Sequence, residues 1–174
     1  MDVIILDKNC IKLKGKTTSI LINPSDSMNK SEAEAVIVPA TYQGQSFPKV
    51  EGLRIIIKGP GEYEVNGVKI TAFSGASDLV SFVDMDGLKI LAGNGLSIEK
   101  IQDKIEECHI AVINADSEFN YSVLSTIEPR VILVYGEKKG EVAKQVGKDN
   151  PEKVSKFSTT YEKLPAELQM LLLE

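Results

Sequence analysis

A chain of 174 residues, 43% hydrophobic and 26% charged, is long enough for one domain spanning 1–174 to bury a layered core without disulfides or metal, and no stretch has the composition of a disordered tail. A net charge of -5 with lysines scattered along the chain argues against nucleic acid as a partner. The opening MDVIILDKNC is apolar for too few residues to be a signal peptide or a membrane span, so the protein is expected in the cytoplasm, away from membranes.

Short β-rich runs bounded by turn residues fill the first half: Asp2–Leu6, Cys10–Lys14, Thr18–Asn23, Ala35–Pro39, Arg54–Lys58, Glu62–Val65, Val68–Phe73, Leu79–Asp84 and Leu88–Leu91. They read as a β-meander. Lys14-Gly15-Lys16, Asn66-Gly67 and Asp86-Gly87 offer the positive φ that tight hairpins need. After Gly95 the period changes, with Ser97 opening a helix that repeats Ile98, Ile101 and Ile105 through Cys108. Ile110–Asn114 then reads as a buried strand, Tyr121–Ile127 as a helix stopped by Pro129, Val131–Tyr135 as a strand, and Glu141–Val146 as a helix ended by Gly147. Lys153–Tyr161 and Leu168–Leu173 suggest closing strands. The apolar C-terminal run is either core or an interface. No internal repeat or low-complexity segment is present. Two sheets with outer helices would bury all these faces, giving an α/β, four-layer αββα sandwich.

Residue types that carry chemistry are sparse. Cys10 and Cys108 lack C-x-x-C spacing and read as buried thiols. The single histidine, His109, sits at a helix–strand junction and reads as structural. Asp84 and Asp86 flank a hairpin turn and read as turn formers. Asp116, Ser117 and Glu118 follow a buried strand, where ligands often bind, although helix capping explains them as well. Gly59-Pro60-Gly61 lacks the Lys-Ser/Thr pair and following helix of a phosphate loop, and a nucleophilic triad has no base.

The run Gly59-Pro60-Gly61-Glu62-Tyr63-Glu64-Val65 followed by Gly67-Val68 and Ile70 resembles a hairpin of small bacterial hydrolase-like proteins in the metallo-β-lactamase superfamily. Cys10 through Gly15-Lys16, Asp86-Gly87-Leu88-Lys89-Ile90, Glu128-Pro129-Arg130-Val131-Ile132 and Lys163-Leu164-Pro165 extend the resemblance over nearly the whole chain. It implies the αββα sandwich, and a site in which histidines and carboxylates hold one or two metal ions that activate water.

The ligand positions that the resemblance implies are Ala40, Tyr42, Gly44 and Gln45 after the Val36–Val38 run, Ala92, the bridging position at Gly95 or Asn94, and Gly136; an early histidine position falls on Lys8. None carries an imidazole or a carboxylate. The expectation is therefore a fold without catalytic residues, cofactor or metal site, with three functional readings. The first is a protein-interaction or scaffold role, as a homo-oligomer or beside an active relative. The second is a weak or altered hydrolase. The third is a metal-free small-molecule binding module, with Tyr42, Gln45, Asn94 and Tyr135 lining a remnant pocket.

Overall fold

The computed structural model describes residues 1–39, 47, 49–105, 107–148 and 150–174. In chain order the first strands are β1 (Asp2–Asp7), β2 (Cys10–Lys14), β3 (Ser19–Ile22), β4 (Ser31–Glu32), β5 (Ala35–Ile37), β6 (Val50–Glu51) and β7 (Ile55–Ile57). Next come β8 (Gly61–Val65), β9 (Val68–Ser74), β10 (Leu79–Met85), β11 (Leu88–Asn94), helix α1 (Gly95–Ile101), β12 (Ile110–Asn114), α2 (Ser122–Ile127) and β13 (Val131–Tyr135). The chain closes with α3 (Lys139–Gln145), β14 (Glu152–Val154), β15 (Lys156–Ser158) and β16 (Gln169–Leu173).

Two mixed sheets result, a six-stranded one in the order β15-β1-β2-β3-β5-β7 and an eight-stranded one in the order β14-β16-β13-β12-β11-β10-β9-β8. They pack face to face over a core that includes Leu13, Ile20, Ile37, Val83, Ile90, Val112 and Leu133. The sandwich is closed along both sides by the chain itself, because β7 and β8, and likewise β14 and β15, are consecutive edge strands of opposite sheets. β11, β12, β13, β16 and β14 run parallel to one another. β12 sends Ile110 and Val112 into the inter-sheet core and Ala111 and Ile113 toward the helices, so both faces are covered and the strand reads as one apolar run.

The meander is only half realised. β8 to β11 are antiparallel hairpins, and their turns use Asn66-Gly67 at φ 50° and 81° and Asp86-Gly87 at φ 54° and 76°. β3, β5 and β7 are parallel instead. Gly15 is not in the positive-φ region; a Cβ there would stand 2.8 Å from the Met85 side chain, so close packing explains the glycine.

Helix α1 stops at Ile101, short of the expected Cys108, and a 3₁₀ turn over Gln102–Lys104 follows. Ile105 still packs on the outer cluster with Ile98 and Ile101, so its apolar spacing is used without a helix. The cap of α1 is Asn94, not Ser97. All three helices lie against the eight-stranded sheet. Over the six-stranded sheet, among the described residues, the covering layer is the 24–34 connection, residues near 50 and the β4–β6 ribbon, packed on Leu21, Val36 and Val38. β16 runs between β13 and β14, with Met170 and Leu172 facing the helices and Leu171 and Leu173 facing the other sheet, which makes the C-terminal apolar run core.

Candidate functional site

The parallel strands bring their carboxyl ends to one edge of the sandwich, where open α/β sheets commonly bind ligands. Asn94, Asn114 and Tyr135 are in register there at the last residues of β11, β12 and β13. Asn94 is the N-cap of α1, its Oδ1 accepting from the Leu96 N–H at 3.0 Å, while its Nδ2 donates to Asn114 Oδ1 at 3.1 Å. The same Asn114 oxygen accepts from the Asp116 N–H at 3.1 Å, and Asn114 Nδ2 donates to Asp116 Oδ2 at 3.0 Å and, more weakly, to Asn9 Oδ1 at 3.4 Å. Asp116 Oδ1 accepts from the Glu137 N–H at 2.9 Å. One amide thus ties the β1–β2 turn, the start of α1 and the loops after β12 and β13.

The residues singled out from the sequence fall in different places. Asn94, Gly95 and Gly136 meet at this edge, whereas Ala92 lies two residues inside β11 in the inter-sheet core, 2% exposed. Ala40, Tyr42, Gly44 and Gln45 lie outside the described residues. Gly136 holds φ +100°, and a Cβ there would stand 2.6 Å from Asp116 Oδ1 and 3.0 Å from the Ala115 nitrogen. A Cβ on Gly95 would stand 2.2 Å from the Phe119 ring. At both of these implied ligand positions a side chain would collide with Phe119 or Asp116 unless those groups moved.

Tyr135 points into the inter-sheet core, and burial pushes its phenol well above the usual range. Neither Tyr135 nor Asn94 is among the residues lining the cavity at this edge. The cavity at this edge measures about 530 Å³ and is lined from other strand ends: Ile5, Leu6, Asp7, Lys8 and Asn9 of β1 and its turn, Asp116 and Gly136, Glu137 and Lys139, Ser155, Leu173 and Glu174. Lys8, the early-histidine position, is in that wall.

Nearby polar groups are mostly engaged. Asp7 accepts from Ser27 at very short range and from Ser25 at 2.7 Å, and these bonds, with one from the Lys8 N–H, hold its carboxyl down to about 2. Beside α1, the fully buried Ser97 donates to Asp78 at 2.5 Å and accepts from the Ala76 N–H, and burial raises the Asp78 carboxyl. Asp116 caps no helix; it reaches across to β13, and Asn120 accepts from the Ser122 N–H at α2 instead.

His109 is at the far end of β12. Its Nδ1 accepts from the Lys89 N–H at 3.0 Å and its ring packs edge-on against Tyr161, a structural placement. Five residues separate it from Asn114, on the order of 16 Å along a strand. Asp86 likewise sits at that far end, accepting from the Lys16 N–H.

No protein-family model matches the chain, and no curated protein does. Solved structures do. A protein of Thermotoga maritima assigned as a zinc-dependent hydrolase of the metallo-β-lactamase superfamily superposes with a TM-score of 0.78 at 18% identity, over 100% of this chain and 99% of that one. A protein of Parabacteroides distasonis assigned as a metal-dependent hydrolase gives 0.59 at 12% identity, over 84% and 90%. A diphosphatase of the PhnP family gives 0.50 at 10% identity, over 94% and 80%.

The chain has the metallo-β-lactamase fold. At these identities the likeness is one of fold alone. A zinc ion, as named for the Thermotoga protein, asks for imidazole, thiolate or carboxylate donors. Among the described residues of this metallo-β-lactamase fold, no three of His, Cys, Asp or Glu stand close enough to hold a metal. The stretch 40–46, Ala-Thr-Tyr-Gln-Gly-Gln-Ser, contributes none of those types. The thiol of Cys10 is buried beside Met28, and burial pushes it up to about 12. Among the described residues the donor set does not fit a zinc ion.

Sequence reading missed Asn114, Asn9, Glu137, Lys139 and Ser155. One signal was present: Asn94 and Asn114 both end strands that are otherwise apolar, which marks an edge where polar groups meet.

Proposed function

We propose that this chain is a non-catalytic metallo-β-lactamase-fold protein, a pseudo-hydrolase whose strand-end edge binds without hydrolysing. The observation that carries the reading is the packing at Gly95 and Gly136: the side chains of Phe119 and Asp116 occupy the space a Cβ would need at two positions where the resemblance implies a coordinating side chain. The amide of Asn114 and the carboxylate of Asp116 supply the local organisation that metal ligation would otherwise give.

Of the three readings from the sequence, metal-free binding gains most. The cavity of about 530 Å³ lies within the usual range for small-molecule sites. The interaction or scaffold reading draws no support from Met170–Leu173, which are buried in a core strand. Pairing with a second copy, or with an active relative of the fold, is tested by light scattering at tens of micromolar. We place the protein in the cytoplasm, which two buried, unbridged thiols fit. Among the described residues no helix is long and apolar enough to cross a membrane.

Elemental analysis of the dialysed protein, with melting curves in the presence and absence of a chelator, tests the reading. The expected result is no stoichiometric zinc, manganese or iron and an unchanged melting temperature. Near-stoichiometric metal retained through dialysis, or a clear drop in melting temperature with chelator, would return the altered-hydrolase reading to first place.

A further inference from the structure

The 59–65 run leaves one edge of the eight-stranded sheet open. β8 pairs with β9 on one side and with no strand on the other. The edge strands β7, β14 and β15 span three residues each, whereas β8 spans five. Short edges are a common protection against a further strand, and β8 departs from it. Its ladder fixes which groups face outward. The two-residue turn Asn66-Gly67 makes Val65 and Val68 a hydrogen-bonded pair, and the alternation carries this to Tyr63 with Ile70 and Gly61 with Ala72. Glu62 and Glu64 are then the positions whose N–H and C=O groups point to the open edge, and among the described residues nothing is bonded to those groups. The two faces of this edge differ. Glu62 and Glu64 are exposed on the outer face, without an ion pair among the described residues, and across the ladder they meet one cation, Lys69, which stands between Glu64 and Asp84. Tyr63 faces the other way, half-buried against the inter-sheet core as is Ile55 of β7.

We propose that β8 accepts an additional antiparallel strand from a protein partner, an extended basic segment that sets Lys or Arg opposite Glu62 and Glu64 and an apolar residue between them opposite Tyr63. Charge selects this occupant. A second copy of the chain pairing antiparallel about Tyr63 would set each Glu62 opposite a Glu64, and like charges directly opposite one another destabilise a ladder. A basic strand makes both pairs favourable, so the carboxylates that keep two copies apart select a partner of opposite sign. The apolar residue of that strand falls on the Tyr63 face, on the side of the sandwich where β7 carries Ile55. This surface goes beyond the strand-end reading and is separate from it. β8 and β14 are opposite edges of the sheet, and no residue of β8 lines the strand-end cavity, so failure here leaves the non-hydrolytic reading as it stands.

The probe is the peptide acetyl-Thr-Val-Lys-Val-Lys-Val-Thr-amide, titrated into the whole protein and followed by amide NMR. It is expected to bind saturably in the millimolar range or tighter, and to shift the Glu62 and Glu64 amides and protect them from exchange. The same peptide with Glu in place of both Lys should bind at least about fivefold more weakly. Methylating the two lysine nitrogens, which donate to β8, should abolish binding, whereas methylating the central valine nitrogen, which points away from β8, should leave it. Glu62→Gln and Glu64→Gln should each weaken the Lys peptide about twofold or more, and E62K/E64K should reverse the preference between the two peptides. Both side chains are exposed, so folding is expected to survive, and far-UV dichroism checks it. Equal binding of the two peptides, equal loss from either methylation, or no saturable binding in the millimolar range would overturn the proposal. So would shifts confined to residues away from β8 and β9, or light scattering and NMR that show the chain pairing with its own copies through β8.

Discussion

Replacing Asn114 by Leu is the sharpest perturbation of the strand-end edge. The residue is 7% exposed and its branched skeleton matches that of the bulkier leucine, so N114L removes hydrogen bonds without opening a cavity. Four groups lose a partner: the buried Asn94 Nδ2, the Asp116 N–H, Asp116 Oδ2 and, more weakly held, Asn9 Oδ1. A buried donor left unpaired costs about 1–3 kcal/mol, and a lost bond to a charged group about 1.5–3 kcal/mol. Part of this is recovered by water at the half-exposed Asp116, which leaves a net loss of about 3–5 kcal/mol. In a domain of this size the melting temperature should fall by about 6–20 °C. Urea unfolding with a shared m-value gives the free energy, and calorimetry gives the midpoint. Asn94→Ala and the double variant complete a cycle, in which a coupling above about 0.5 kcal/mol is expected for residues in one network. A loss below about 1 kcal/mol for N114L, or additive single variants, would refute the view that this amide organises the edge.

Three further outcomes are expected. Asp7 is held at about 2 by Ser27, Ser25 and the Lys8 N–H, so its stabilising effect is present above the ordinary carboxyl value of 3.8 and is lost as pH falls through about 2; D7N should be less stable than the native chain at pH 6, with the gap closing between these values in denaturant titrations. Burial holds both thiols at about 12, so Ellman's reagent should label neither Cys10 nor Cys108 in the native protein and both after unfolding. Gly136→Ala should cost about 1–3 kcal/mol from its positive φ alone, and G136H should destabilise at least as much without gaining zinc affinity by calorimetry.

Much of the fold can be read from local chemistry. Asn66-Gly67 and Asp86-Gly87 fix two hairpins because the turn type needs positive φ at both residues, and Gly147 ends α3 at φ +74° for the same steric reason. Ile110–Asn114 and Val131–Tyr135 read as buried strands because apolar residues fill both faces. The parallel pairing of β3, β5 and β7 is not legible, since strands of three or four residues carry too little pattern to reveal the direction of a neighbour. At the site, the missing ligand types are visible in the residue identities. That Gly95 and Gly136 are sterically closed is not, because the closing groups are Phe119 and Asp116, which only the fold brings near.

The two ends of the eight-stranded sheet use their polar residues differently, and the contrast bears on function. At the hairpin end, Asp86 accepts from a backbone N–H and lies 3.9 Å from the N-terminal ammonium, while His109 accepts from a backbone N–H and meets Glu107 at 3.4 Å. Those side chains secure the turns of the fold. At the carboxyl end, Asn114 and Asp116 do the same work. The carboxyl end thus joins a framework secured by its own hydrogen bonds to a concave space of about 530 Å³, whereas the hairpin end uses its polar side chains on turns alone.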